Sequence, residues 1–343
     1  MKFLLCLVTV LFSFQFINAQ WVRQTVNTTA SFRGLSVVNE KVIWASGTEG
    51  TVIRTIDGGK TWKVMTVPGA EKLDFRDIEA FDANTAYILS IGNGESSRIY
   101  KTIDGGKTWK EQFRNKSEKA FFDAIDCSSR EHCYALSDPV ENHFLLTETR
   151  DGGEYWDSTF ASEFTMVSPK ARSDEAAFAA SGTCLTHNFL YRFFVTGGSG
   201  ARVFRAFWSP NTGASDWEAF STPFVHGSSG SGIFSIAMFD IQNGVIVGGD
   251  YEKPNEAIDN LAFTHNSGET WKLGTGLSGY RSAVTYVDKK TIIAVGTNGT
   301  DMTRDGGKTW KKIGDENLNA VAANGKRAVW AVGPKGMVVK MKK

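Results

Sequence analysis

The sequence is short of proline, histidine, cysteine and net charge, and each shortage removes a class of explanation. Seven prolines in 343 residues leave most turns to be made another way, and 35 glycines supply the positive-φ positions they need. The five histidines, at 132, 143, 187, 226 and 265, show neither His-x-x-x-His spacing nor a Cys/His cluster, so no metal site is expected. No cofactor is expected either. The glycine-rich "TGGSGAR" at 196–202 joins two strand-like runs and precedes no helix, so it is not a dinucleotide fingerprint. A formal charge of +1, with basic residues spread along the chain, argues against nucleic acid as the main partner. The terminal "KMKK" is too short to alter that. Beyond the first twenty residues no apolar run approaches a membrane span, and nothing longer than a turn reads as helix.

The N-terminal "MKFLLCLVTVLFSFQFINAQ" is built as a secretory leader. Lys2 is its positive region, Phe3–Phe16 its apolar core, and Asn18-Ala19 a small-residue approach to cleavage. The expected layout is a signal peptide over 1–19 and one domain over 20–343, exported to the periplasm or the medium. Export places the chain where disulfides persist. Three of the four cysteines then remain, Cys127, Cys133 and Cys184. The pair in "CSSREHC" flanks a short polar turn and could close across a hairpin. In that case Cys184 is left over as a small buried hydrophobe.

What the sequence has in abundance is a repeat. "TIDGGKTW" stands at 55–62 and 102–109, "TRDGGEYW" at 149–156, "THNSGETW" at 264–271 and "TRDGGKTW" at 303–310, with a degenerate "SPNTGASDW" at 209–217. The intervals match a four-stranded propeller blade. Short β-branched and aromatic runs lead into each copy, bounded by glycine or asparagine. The last unit, from "NLNAVAA" to "KMKK", supplies three strands. The mature N-terminus "QWVRQTVNT" resembles the fourth strand "TWKVMTVPG" at 61–69. Trp21–Val26 is therefore expected to complete the last blade. The reading is all-β: a seven-bladed β-propeller of four-stranded antiparallel blades, closed by its N-terminal strand and leaving no open edge.

The repeated motif reads as structure. Asp57, Asp104, Asp151, Asn266 and Asp305 can accept bonds from backbone N–H groups of their own turns, the glycines supply positive φ, and Trp62, Trp109, Trp156, Trp271 and Trp310 lead into the next strand. These motifs resemble Asp-box (bacterial neuraminidase) repeats. The whole mature chain resembles exported propellers related to the photosystem II stability/assembly factor. That resemblance implies a binding or assembly protein, a monomer, that recognises a protein or an acidic glycan. Because the same repeats occur in sialidases, it also leaves open a glycoside hydrolase or lyase acting on an acidic carbohydrate.

Propeller geometry puts the repeated turns on one face and the turns between second and third strands on the other, at the mouth of the central channel. The longest of the latter are expected at 137–143 and 248–260. Aligning the first strands sets Arg33, Arg76 and Arg281 at one register, with Asp77, Asp123, Ser235, Ser282 and Asn319 at or beside it. Three guanidiniums at one mouth would favour a carboxylate, a sulfate or an acidic protein surface. Alternatively they pair with Asp77, Asp123 and Asp138 and join neighbouring blades. "FRGL" at 32–35 partly resembles the Phe/Tyr-Arg-Ile-Pro motif of sialidases, with Gly34-Leu35 in place of Ile-Pro. If the chain is an enzyme, Tyr251, Glu252 and Glu256, with Asp138 or Asp250 as acid, are its catalytic candidates.

Overall fold

Most second strands are largely apolar runs, as in Ile43–Gly47, Ala86–Ser90 and Ile292–Gly296, and every residue of these three is buried. Such a run suits a strand covered on both faces. Four of the fourth strands are the opposite. Lys63–Thr66, Lys110–Arg114, Lys272–Leu273 and Lys311–Gly314 open on an exposed lysine, which blunts a sheet edge. The computed structural model, which describes residues 20–158, 168–209, 213–214 and 216–342, arranges these strands as seven radial antiparallel sheets. Blades 1 to 6 run in sequence order over 32–66, 75–114, 122–158, 185–221, 231–273 and 283–314. Blade 7 takes Ala320–Ala323, Val329–Val332 and Val338–Met341 from the C-terminus and Trp21–Arg23 from the N-terminus, in register Trp21↔Met341, Val22↔Lys340 and Arg23↔Val339. The proposed leader, residues 1–19, lies outside the described residues. So does part of the degenerate repeat at 209–217.

The core is divided into wedges between neighbouring blades. Trp44 and Met65 of blade 1 pack with Phe75 and Ile88 of blade 2. Val245 and Leu261 of blade 5 pack with Val284 and Ala294 of blade 6. The Asp-box turns join the same wedges. In blade 2, Asp104 Oδ1 accepts from the Thr108 N–H at 2.9 Å and the Thr102 hydroxyl at 3.0 Å, while the Gly106 N–H donates to Thr102 Oγ1 at 2.9 Å. Blades 1, 3, 5 and 6 repeat the bonds from the turn N–H to Asp57, Asp151, Asn266 and Asp305. Each box also donates a backbone N–H to the first turn of its own blade, as Gly105 does to Asn84. Its tryptophan packs on the preceding blade: Trp62 meets Trp330 edge-on at 5.7 Å, and Trp156 meets Phe113 at 6.1 Å. The second glycine of the box lies against that blade too. A Cβ on Gly106, whose φ is +75°, would stand 2.7 Å from Met65 Sδ. The motif therefore folds its own hairpin and joins it to the blade before.

Two expectations need correction. The stretch 137–143 is not a loop: strand Cys133–Val140 runs straight into His143–Thr149 through Glu141 and Asn142, both in left-handed backbone at φ +53° and +63°, the geometry of a two-residue hairpin. Among the described residues the longest connection of that kind is 251–260, followed by 91–97 in blade 2. The first strand of blade 4, Leu185–His187, went unread because it has only three residues and follows a chain segment with no repeat signal. Among the described residues the sole helical turn is Gly94–Ser96, and no helix is long and apolar enough to cross a membrane.

Candidate functional site

In blades 1, 2, 3 and 5 the first strand carries a register shift at one equivalent position, which singles out Arg33, Arg76, Asp123 and Phe234. A bulge re-aims its extra residue, and here two guanidiniums, a carboxylate and a phenyl ring gather at the channel mouth. Blade 6 is different. Ala283 pairs with Val295 as Gly34 pairs with Ser46, so Ser282, not Arg281, stands at the register of Arg33. Arg281 lies one residue earlier, and a one-residue slip moves a side chain to the other face of a strand. There it is wholly buried against Asp301, also wholly buried, with Nη2 to Oδ2 at 2.5 Å and Nε to Oδ2 at 2.9 Å. Tyr280 O, Asn298 Oδ1 and Ser278 Oγ, each at 2.6 Å, accept its other protons. Arg281 is thus turned away from the mouth. The slip was hard to see because Tyr280-Arg281 imitates Phe32-Arg33.

The mouth itself is crossed by the chain. Residues 177–183, which lead into blade 4, run over the axis and touch five other blades. Arg33 of blade 1 donates to Ala180 O at 3.0 Å, and Arg76 of blade 2 to Ala179 O at 3.1 Å. On blade 3, Asp138 Oδ1 accepts the Ala177 N–H at 2.9 Å, and the Asp123 carboxylate faces the Ala179 N–H. The Thr183 hydroxyl meets Ser235 of blade 5 at 2.6 Å, and the Ser181 hydroxyl donates to Ser282 O of blade 6 at 2.9 Å. Gly182 has φ +77°, and a Cβ there would overlap the Asp77 carboxylate, so only glycine fits. The strap is anchored upstream by Glu175, whose side chain is wholly buried. It pairs with Arg202, accepts from Thr196 Oγ1 at 2.6 Å, and accepts the Arg172 N–H at 2.8 Å. Glu175–Ala176 and Gly197–Gly198 add a short ladder to blade 5 at Gly232. The glycines of "TGGSGAR" serve this close backbone approach. Sequence reading missed the strap, and the absence of any Asp-box spacing between 157 and 208 was its one signal.

Burial sets the charges. Asp77 accepts the Ile78 and Ile125 N–H groups at 2.8 Å each, tying blade 2 to blade 3, yet desolvation pushes its pKa up to about 8. Desolvation, then the neighbouring Asp138, holds Asp123 well above the usual carboxylate range, and burial lifts Asp138 to about 6. The Arg33 guanidinium is shifted down by burial and then by Arg76. Arg76 pairs with Asp74 at 2.8 Å, whereas Arg33 has no carboxylate partner among the described residues. Phe178 stacks on Phe234 at 4.0 Å, and Tyr280 and Tyr251 stand edge-on to Phe234 at 4.8 and 6.2 Å. The remaining catalytic candidates build turns. Asp250 Oδ1 accepts the Glu252 N–H at 3.0 Å, and Glu256 pairs with Lys253 at 3.9 Å. Beside the mouth lies a polar groove of about 610 Å³ lined by Lys119, Asp138, Glu141, Arg172 and Asp174. On blade 3, Cys127 and Cys133 pair across the first hairpin and are bonded as a disulfide; Cys184 is buried. No group of three His, Cys, Asp or Glu that could hold a metal occurs among the described residues.

Residues 14–116 match the family model of the photosynthesis system II assembly factor YCF48, and the chain is an Asp-box propeller resembling that family. A comparison with curated proteins finds no match. Among solved structures, YCF48 bound to a D1 peptide is similar over 97% of this chain and 100% of its own, at 16% identity and a TM-score of 0.66. YCF48 from Cyanidioschyzon merolae is similar over 94% and 99%, at 18% identity and a TM-score of 0.66. The WD40 repeats of RRP9 follow the same ring over 94% and 96%, at 12% identity and a TM-score of 0.62. At these identities the likeness is one of fold.

Proposed function

We propose that this chain is an exported, non-catalytic propeller that holds an acidic segment of a protein partner at its channel mouth and so assists an assembly step. The observation that carries the reading is Arg33. It is a half-buried guanidinium beside a second arginine, with one N–H spent on Ala180 O, and among the described residues its nearest favourable carboxylate, Asp74, is already paired with Arg76. A buried charge without a counter-ion costs stability, and a partner's carboxylate would remove that cost through a bidentate charge-assisted bond. Arg76, half satisfied by Asp74, is its companion. The family match and the solved YCF48 with a D1 peptide bound support a peptide as ligand. The strap makes the floor of the site, so a partner would lie across 177–183 and the polar groove beside it.

Export is part of the proposal. The leader-like 1–19 and the disulfide of blade 3 both suit an oxidising compartment, and the chain recovered from its host should begin at Gln20 on N-terminal sequencing. The binding test uses arrays of glutamate-rich peptides and their glutamine counterparts, with wild type and Arg33→Ala side by side. Selective binding of the acidic set, weakened roughly tenfold in the variant, is the expected result. Equal binding of both sets, or an unaffected variant, would remove Arg33 from the site. Capture of uronate-containing glycans instead of peptides would shift the partner class without moving the site.

A further inference from the structure

A second concavity lies on the opposite face, between the first turns of blades 3 and 4. It measures about 680 Å³ and is lined by Ser128, His132, His187, Asn188, Phe189 and Trp208 among others, a size typical of small-molecule clefts. Blade 4 carries the degenerate Asp-box. Phe189, at the tip of the neighbouring turn, is 84% exposed. With Phe207, 43% exposed and lining the same cleft, it forms an apolar rim of two rings, and it is contiguous apolar surface that marks a binding groove.

The polar groups of the cleft form two sets. One set is satisfied. The His132 ring meets Glu148 Oε1 at 2.5 Å and Ser128 Oγ at 3.0 Å, and His187 Nδ1 meets Asp126 Oδ2 at 2.6 Å. Glu148 is further paired with Arg150 at 2.9 Å and Arg192 at 3.3 Å. Both carboxylates near the cleft are thus neutralised by cationic or imidazole partners. The other set is orphaned. Arg192, 2% exposed and stacked over the Tyr134 and Trp208 rings at 4.3 and 5.6 Å, keeps a buried Nη1 with no partner. Asn188 accepts the Leu190 and Tyr191 N–H groups at 3.0 and 2.8 Å through Oδ1, which leaves its buried Nδ2 with no partner. Both orphans are donors, and a buried unpaired donor costs about 1–3 kcal/mol.

We propose that this cleft binds a small carboxylic acid with an apolar, aryl or branched, body. The acid group would accept from Asn188 Nδ2 and the Arg192 guanidinium, while the apolar body lies against Phe189, Leu190 and Trp208. The assignment rests on complementarity: unpaired donors, paired acids and an exposed ring in one cleft. It is independent of the mouth, so either site can fail without the other.

The test titrates 3-phenylpropionate and its neutral amide into the full chain, followed by calorimetry and tryptophan fluorescence. The acid should bind roughly tenfold more tightly than the amide, since one charge-assisted bond is worth about that factor. Asn188→Asp keeps the Oδ1 acceptor that builds the turn but exchanges the donor for a carboxylate oxygen. It should abolish the preference without lowering the melting temperature, and Phe189→Ser should weaken acid and amide alike. Equal affinity for acid and amide, or no heat at about 10 mM ligand, where binding is worth under about 3 kcal/mol, would overturn the proposal. So would concentration-dependent self-association abolished by Phe189→Ser with no acid binding, since Phe189 would then be seating a second copy.

Discussion

Removing the carboxylate of Asp301 tests whether Arg281 belongs to the scaffold or to a ligand site. In the folded chain the guanidinium and its partner are both wholly buried, joined through Nε and Nη2, and Ser278 adds its backbone N–H at 2.8 Å to the same carboxylate. Asp301→Ala leaves a cation in a dry wedge and two donors of Ser278 without their acceptor. Breaking a buried pair from one side costs about 3–5 kcal/mol. A chain of 343 residues has an unfolding entropy of about 0.7 kcal/mol per kelvin at its midpoint, so the melting temperature should fall by about 4–7 °C. Differential scanning calorimetry reads this directly. The double replacement Arg281→Met with Asp301→Leu, which swaps the pair for apolar volume, should recover most of the loss, because the desolvation penalty disappears with the charges. A drop below about 2 °C in the single variant, or a double variant worse than the single one, would show that Arg281 is not held as described. Peptide binding at the mouth should be unchanged in the double variant.

Three further outcomes follow from the same geometry. Stability against urea should rise as pH falls from 8 toward about 5. Asp77 and Asp138 have folded-state values raised to about 8 and 6, so the native state binds protons there that the unfolded chain does not, and the linkage favours folding on acidification. Below about pH 4 the trend should reverse, because box carboxylates such as Asp57 and Asp104 are held near 2 by their turn hydrogen bonds. Their contribution is complete above the unfolded carboxylate range and is lost as pH falls toward 2. A midpoint that does not vary with pH would contradict both halves. Gly106→Ala should lower stability by about 1–3 kcal/mol through its left-handed φ and its approach to Met65, whereas Gly325→Ala, whose Cβ would meet nothing within 4 Å, should pay only for its φ of +68°. Equal losses in chemical denaturation would refute the inter-blade contact. The Cys184 thiol, wholly buried and raised by desolvation and then by Asp123 and Asp77, should react with a thiol reagent only as fast as the chain opens. Rapid native labelling would mean that the wedge around it is not closed.

Much of the ring was legible because the box repeats as a unit: Asp104, Gly106 and Trp109 mean the same in each copy, and counting them counts blades. The closure by Trp21 was legible for a related reason, since the N-terminal run repeats the pattern of a fourth strand. The mouth was less so. Arg33 and Arg76 were found by alignment, but register depends on pairing, and pairing of Ala283 with Val295 shifts Arg281 by one residue. The strap at 177–183 has no periodicity, because a segment crossing an axis alternates with nothing. Glu175 and Arg202 are 27 residues apart, and only the fold brings that pair together. The orphaned donors of Asn188 and Arg192 are likewise invisible in sequence, where every asparagine and arginine looks equally able to find a partner.

The seam in blade 7 also makes the ring a clock. Six blades draw their four main strands from contiguous stretches and can form as the chain is made, but the seventh joins Trp21 to Met341 and cannot close until Val338–Met341 has been made. Until then Ala320–Ala323 and Val329–Val332 show a bare edge, and Trp21–Arg23 has no sheet to join. Pairings this distant in sequence form late, and an open edge invites other chains. A chain cut a few residues short would therefore be left unlocked, with its first strand waiting for a partner that never comes.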